Sequence, residues 1–134
     1  PELLANEEWT ACFKYALGKL WLNFGGLSTI DKNNLLFCPR HSGESTASYH
    51  NGDSWFWMNN LAAITLHRAN KQKFAKYIRE ILNASKDEIL WKGAVSHHAE
   101  LSSASKFGSE GCLMQAWSSA VFIEFVNEVS NNRK

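Results

Sequence analysis

Apolar side chains recur every three or four residues along most of this chain, and no stretch alternates at a spacing of two. Trp9, Phe13, Ala16, Leu17, Leu20 and Phe24 fall on one helical stripe. Asn6 is a capping residue, and Glu7 and Glu8 follow it at the positive end of the helix dipole. Gly25-Gly26 ends the helix. A second stripe, Trp55, Met58, Leu61, Ala62 and Leu66, predicts a helix from about Trp55 to Ala69, capped by Asp53 or Ser54. Asn70 breaks it and caps a third helix from Lys71, whose stripe is Phe74, Tyr77, Ile78, Ile81 and Leu82. Ser85-Lys-Asp-Glu88 reads either as a capping box opening a short new helix or as part of a helix running on to Trp91. Gly93 stops it. A last helix, about Cys112 to Ser130, contains QAWSSAVFIEFV and is apolar around much of its circumference, so both its sides are expected to be covered. The class is all-α.

Two long polar connections separate these helices. Leu27 to Gly52 holds Pro39, Gly43, Gly52 and many Ser, Thr and Asn residues, while Leu35, Leu36 and Phe37 within it call for burial. Ala94 to Gly111 is the second. Loops this long in a 134-residue chain are usually functional or disordered, and the three apolar residues of the first argue against full disorder. About four helices with two such loops make a poor closed bundle, and the layout looks like part of something larger.

Composition excludes several classes. A net charge of +1 leaves no footprint for nucleic acid or a membrane surface. No apolar run is long enough to span a bilayer, and the first residues lack the pattern of a signal peptide. Cys12, Cys38 and Cys112 are too sparse for a disulfide framework or a metal site. They suit a reducing cytoplasm and small buried apolar roles. No GxGxxG, GxxxxGK[ST] or GxSxG occurs, which removes dinucleotide, nucleotide and serine-hydrolase readings. Six tryptophans are many for this length, and tryptophan suits sugar rings as well as cores.

Four groups of residues could carry chemistry. Glu100 lies in the polar loop SHHAELS and can act as a general base if held near a water; a solvated loop glutamate is the bland alternative. Asp53 is more simply an N-cap than a catalyst. His50, His97 and His98 suit hydrogen bonding better than metal binding, because adjacent histidines do not readily share an ion and no HExxH or CxxC accompanies them. No metal or other cofactor is expected. Gln115 and Trp117 sit at the start of the last helix, with Gln115 on a face that can meet a ligand.

Three segments in order carry a resemblance. They are Tyr49-His-Asn-Gly-Asp-Ser-Trp55-Phe-Trp57, then Ala99-Glu100-Leu-Ser, then Gly108-Ser-Glu-Gly-Cys-Leu-Met-Gln115-Ala-Trp117-Ser118. Together they resemble the C-terminal end of glycogen debranching enzymes, the amylo-α-1,6-glucosidase domains of the glucoamylase-like (α/α)₆ barrels. PELLAN at the start, and Phe24-Gly-Gly-Leu-Ser-Thr29, look like the approach to that pattern, so the resemblance covers essentially the whole chain. It implies one partial domain, residues 1–134, forming the C-terminal third of such a barrel, with four to five helices and long active-site loops. It implies that Glu100 is the general base of an inverting hydrolysis of α-1,6 branches in glycogen or limit dextrin. Tyr49, His50, Trp55 and Trp57 match the wall of the glucose pocket, and Gln115 and Trp117 match the helix start behind the base. Phe56 stands where many relatives have proline and Asp53 where many have a small or apolar residue, so the resemblance assigns Asp53 no role. The general acid lies upstream in such barrels, which implies a partner chain or upstream segment completing the site. A glucoamylase-like enzyme for another α-glucoside, or a helical carbohydrate-binding or assembly module without catalysis, stays open beside this reading.

Overall fold

Helix α3, Phe56–Asn70, is the element on which the others pack: α5, Ala116–Asn131, and α4, Ala75–Trp91, lie against it, and so does α1, Asn6–Leu20. The computed structural model describes residues 3–43 and 45–131; Pro1 and Glu2 of the opening PELLAN segment lie outside them. The fold among the described residues is all-α. Five helices, including the one-turn α2, Thr46–Tyr49, are joined by four strands of two residues each. β1, Trp21–Leu22, pairs antiparallel with β2, Gly26–Leu27. β3, Ser54–Trp55, pairs antiparallel with β4, Leu101–Ser102. No helix among the described residues is long and apolar enough to cross a membrane.

The helices meet in one core of Leu17, Ala63, Ile64, Leu66, Phe74, Ile78, Ile81, Val121 and Phe125. Met58 and Leu61, expected on the inward stripe of α3, are exposed, and Ala63 and Ile64 face the core instead, because the helix is turned to meet α4 and α5. The four long helices each bury one apolar side there, which is what stabilises an amphipathic helix. Arg68 on α3 clamps Glu128 on α5 with two parallel hydrogen bonds, Nε to Oε1 at 3.0 Å and Nη2 to Oε2 at 2.8 Å. That contact, first through its hydrogen bonds, holds the Glu128 carboxyl below the usual carboxylate range.

Several expectations change at the helix ends. Ala5, not Asn6, is the cap of α1, and its N–H donates to Glu8 Oε2 at 2.8 Å. The helix stops at Leu20, so Phe24 leaves the stripe and stacks on Phe107 with ring centroids 5.0 Å apart. A hairpin takes over because Gly25 adopts φ +98° where a Cβ would collide with the Glu80 carbonyl, and because Asn59 Oδ1 accepts the Leu27 N–H at 2.9 Å. Neither Asp53 nor Ser54 caps α3. Trp55 does, since Ser54 and Trp55 are drawn into pairing with Leu101 and Ser102. Asn70 caps through the Lys73 N–H, but α4 begins only at Ala75, after Phe74 has turned into the core. Ser85 starts no new helix: its hydroxyl is buried and donates to Asn60 Oδ1, and α4 runs on to Trp91. The last helix begins at Ala116 rather than Cys112, and one of its flanks stays open, with Trp117 and Ile123 exposed. Leu35 and Leu36 are exposed, not buried, in a turn braced by Asn34. Cys12 and Cys112 are exposed and Cys38 half-buried, so the thiols do not serve as core.

Phe125 is fully buried in the central core. Phe125→Ala is expected to cost about 3–5 kcal/mol through lost burial and an unfilled cavity, read as a drop in the urea midpoint with little change in slope.

Candidate active site

The two polar loops meet at one end of α3. The link is the β3–β4 pair, extended by the Phe56 N–H donating to the Glu100 carbonyl at 3.1 Å. On its other side Glu100 exchanges backbone bonds with the segment before α5: its N–H donates to the Cys112 carbonyl at 2.8 Å. Glu100 is thus fixed between the two motif-bearing segments.

Behind Glu100 lies a buried chain of polar groups. Ser85 Oγ donates to Asn60 Oδ1 at 2.8 Å, which leaves the Asn60 amide NH₂ to face His98 Nε2 at 3.2 Å. His98 Nε2 therefore accepts, and the ring proton sits on Nδ1, which donates to Glu88 Oε2 at 2.6 Å. Ser109 Oγ donates to Glu88 Oε1. Glu88, His98, Asn60 and Ser85 are all essentially inaccessible to solvent. These bonds tie the loop before and after Glu100 to α3 and α4. Phe56 covers the His98 ring with centroids 4.4 Å apart, and the His98 carbonyl takes the Gln115 N–H at 2.9 Å.

In front of Glu100 opens a cleft of about 650 Å³, lined by His41, Gly43, Tyr49, Glu100, Gly111 and Cys112. Tyr49 OH donates to Glu100 Oε1, and the Cys112 N–H donates to Oε2 at 3.0 Å. Two fixed donors from separate segments hold the carboxylate in one orientation, with accepting capacity left on both oxygens. Gly111 has φ +69°, and a Cβ there would collide with Glu100 Oε2, so glycine supplies both the turn and the room for the carboxylate. Among the described lining residues Glu100 is the one carboxylate.

The other residues singled out from the sequence are distributed less simply. Trp55 packs edge-on against Tyr49 at 4.5 Å, and its Nε1–H donates to the Tyr49 carbonyl, so it braces the cleft wall from behind. His50 is exposed and lies parallel to the Trp55 ring at 6.1 Å. Trp57 and Trp117 stack on each other with centroids 4.5 Å apart, away from the residues lining the cleft. Gln115 accepts from Ser118 Oγ through Oε1 at 2.6 Å and trims the start of α5. His97, exposed, bonds the Val95 carbonyl, so the adjacent histidines part company: one is outside and one deep inside. Among the described residues no three His, Cys, Asp or Glu side chains gather as a metal site. Two residues of this end are not among the sequence candidates: His41, in a Pro- and Gly-flanked loop with no signal of its own, and Glu88, which reads as the end of a capping box although its spacing from Ile81 and Ser85 places it on the inward stripe of α4.

The sequence profile described as amylo-alpha-1,6-glucosidase matches residues 1–124. The chain belongs to the amylo-alpha-1,6-glucosidase family. No curated protein sequence matches it. The match joins the three motif segments and both helices of the α3–α4 pair into a single family region, and it makes the chain a relative of glycogen-debranching glycosidases.

Two substitutions probe the geometry. Glu88→Ala strips a buried imidazole and a buried hydroxyl of their acceptor, and is expected to cost about 3 kcal/mol and to speed amide exchange across residues 97–102. Gly111→Ala is expected to push the Glu100 carboxylate off the Cys112 N–H, which an upfield move of that amide proton in an NMR spectrum reports.

Proposed function

We propose that this chain supplies the general-base side of a site that hydrolyses α-1,6-glucosidic branches in glycogen or limit dextrin with inversion. The observation that carries the reading is the placement of Glu100: on the floor of an open cleft, oriented by Tyr49 OH and the Cys112 N–H, between the two segments that bear the family's motifs. In this reading a water on Glu100 loses its proton to the carboxylate as it attacks the anomeric carbon. Tyr49 forms the aromatic side of the glucose pocket, since sugar C–H faces pack on aromatic rings, and Trp55 supports it from behind. His50, Trp57, Gln115 and Trp117 belong to its outer parts.

An inverting glycosidase needs a second carboxyl roughly 6.5–9.5 Å from the base, leaving room for the water. That general acid comes, in this proposal, from an upstream segment or partner chain that completes the (α/α)₆ barrel. The open flanks of α3 and α5, where Met58, Leu61, Trp117 and Ile123 are exposed, support such a neighbour, since large apolar side chains gathered outside a core commonly mark an interface. Unbridged thiols, two of them exposed, suit a reducing cytoplasm.

The test is co-expression with the upstream barrel segment, assayed by glucose release from a limit dextrin. Turnover confined to the pair, and lowered about 10²–10⁴-fold by Glu100→Gln, is the expected result. Undiminished turnover in Glu100→Gln would remove Glu100 as base. Glucan binding without any turnover would favour a binding module instead.

A further inference from the structure

A second acidic residue at this end of the molecule holds a histidine rather than a loop. Asp53 is fully buried, and its Oδ2 faces His41 Nδ1 at 2.7 Å while also accepting from Ser48 Oγ at 2.8 Å. The surrounding chain fixes both partners. The Asp53 N–H donates to the Ser48 carbonyl at 2.9 Å, the Ser42 N–H to Ser48 Oγ at 2.8 Å, and the His41 N–H to Ser103 Oγ at 3.2 Å. A buried carboxylate is costly unless it is well paired, and among the described residues Asp53 Oδ1 has no hydrogen-bond partner. Its Oδ2 holds the His41 ring in one orientation.

We propose that His41 is a sugar-hydroxyl ligand of the cleft, presented by Asp53 as its positioning residue; the inference rests on the glucosidase reading of the same site. A carboxylate only accepts, so Nδ1 carries the proton that meets Asp53, and in the neutral ring Nε2 is the nitrogen with the lone pair. His41 lines the cleft and Asp53 does not, and with Nδ1 taken by Asp53 the ring nitrogen left for a ligand is Nε2. That atom makes no hydrogen bond among the described residues, and the side chain keeps 13% of its surface exposed. The cleft therefore offers two oriented acceptors, His41 Nε2 and the Glu100 carboxylate. Such a pair suits a neutral polyol with several O–H donors and disfavours an anion. The ring is locked before the ligand arrives, so little ordering remains to oppose binding.

The experiment uses the active assembly of this chain with its upstream segment and glucose as the probe. His41→Asn places an amide near the Nδ1 position, keeping a bond to Asp53 while withdrawing the group that meets the cleft. His41→Gln extends an amide toward the Nε2 position. Glucose affinity is expected to fall roughly three- to tenfold in His41→Asn and to recover in His41→Gln, the range of one neutral hydrogen bond. Wild-type affinity in a stably folded His41→Asn would overturn the ligand role. The wild-type assembly gives a second readout that needs no variant of His41: on glucose addition the imidazole ¹⁵N resonance of His41 Nε2 should move while Nδ1 stays protonated. No movement at saturating glucose overturns the proposal. Asp53→Asn is expected to mix the two ring tautomers in the same spectrum, and an unchanged tautomer removes Asp53 as the positioning residue. Glu100→Gln tests the underlying reading separately, through loss of turnover rather than through glucose affinity. A wild-type assembly that neither binds glucose nor releases it sinks that reading, and the inference with it.

Discussion

The buried bond between Glu88 and His98 is the constraint on which the active end depends. Helices α3, α4 and α5 pack by ordinary apolar contact and would do so with many loops. The loop from residue 94 to 111 has no such means of holding its shape, because it is polar and carries no regular element beyond two residues of strand. What fixes it is a line of satisfied polar groups running from Ser85 through Asn60 and His98 to Glu88 and Ser109. Each donor in that line has its acceptor, and this is the condition under which a buried polar network rigidifies rather than destabilises. Gly93 is part of the same device: a side chain there would crowd Ser109 and Glu88, which meet just above it.

Rigidity at His98 is passed to Glu100 through two peptide units. The His98 carbonyl holds the Gln115 N–H, and Glu100 holds Cys112 through backbone and side chain alike. The start of α5 and the loop before it therefore move as one piece. Tyr49 reaches the same carboxylate from the other long loop, whose own anchor is the Cys38–Asn51 backbone bond, with Gly52 passing so close to the Cys38 carbonyl that a side chain would collide. The cleft is ordered because each loop is bonded to the other. Precision within a fraction of an ångström is what general-base chemistry asks of such a scaffold.

The helical class was legible because burial follows period. Leu17, Leu66, Ile78, Ile81 and Phe74 all lie in the core on the stripes where spacing puts them. The ends were not legible, because they are decided by partners distant in sequence. Asp53 and Ser54 have every local property of an N-cap, yet Ser54 is needed by Ser102 and Asp53 by His41. Ser85 and Glu88 have the local form of a capping box, yet both turn inward to groups on α3 and in the loop. Leu35 and Leu36 look like core, yet the turn at Asn34 leaves them outside. The pairing of Glu100 with Tyr49 could be suspected from the order of motifs. The role of His41 could not, since nothing in its neighbours distinguishes it from any other loop histidine until the carboxylate behind it is seen.

Glu88 and Asp53 make an instructive pair. Both are fully buried carboxylates, both meet a histidine Nδ1 at hydrogen-bond distance, and both lie within one chain of nearly neutral charge. Their histidines differ in where the other nitrogen goes. That of His98 ends on Asn60, inside, and the network closes on itself. That of His41 ends at the cleft, and the network stays open toward solvent. A closed network can be rewarded only by stability, because nothing outside the fold can reach it. An open one leaves a ring nitrogen held in place beside the Glu100 carboxylate, where the proposed sugar ligand could reach both. The same acid–histidine pair, occurring twice with its histidines on the two long loops, thus serves the scaffold in one place and, in the proposed reading, the bound sugar in the other.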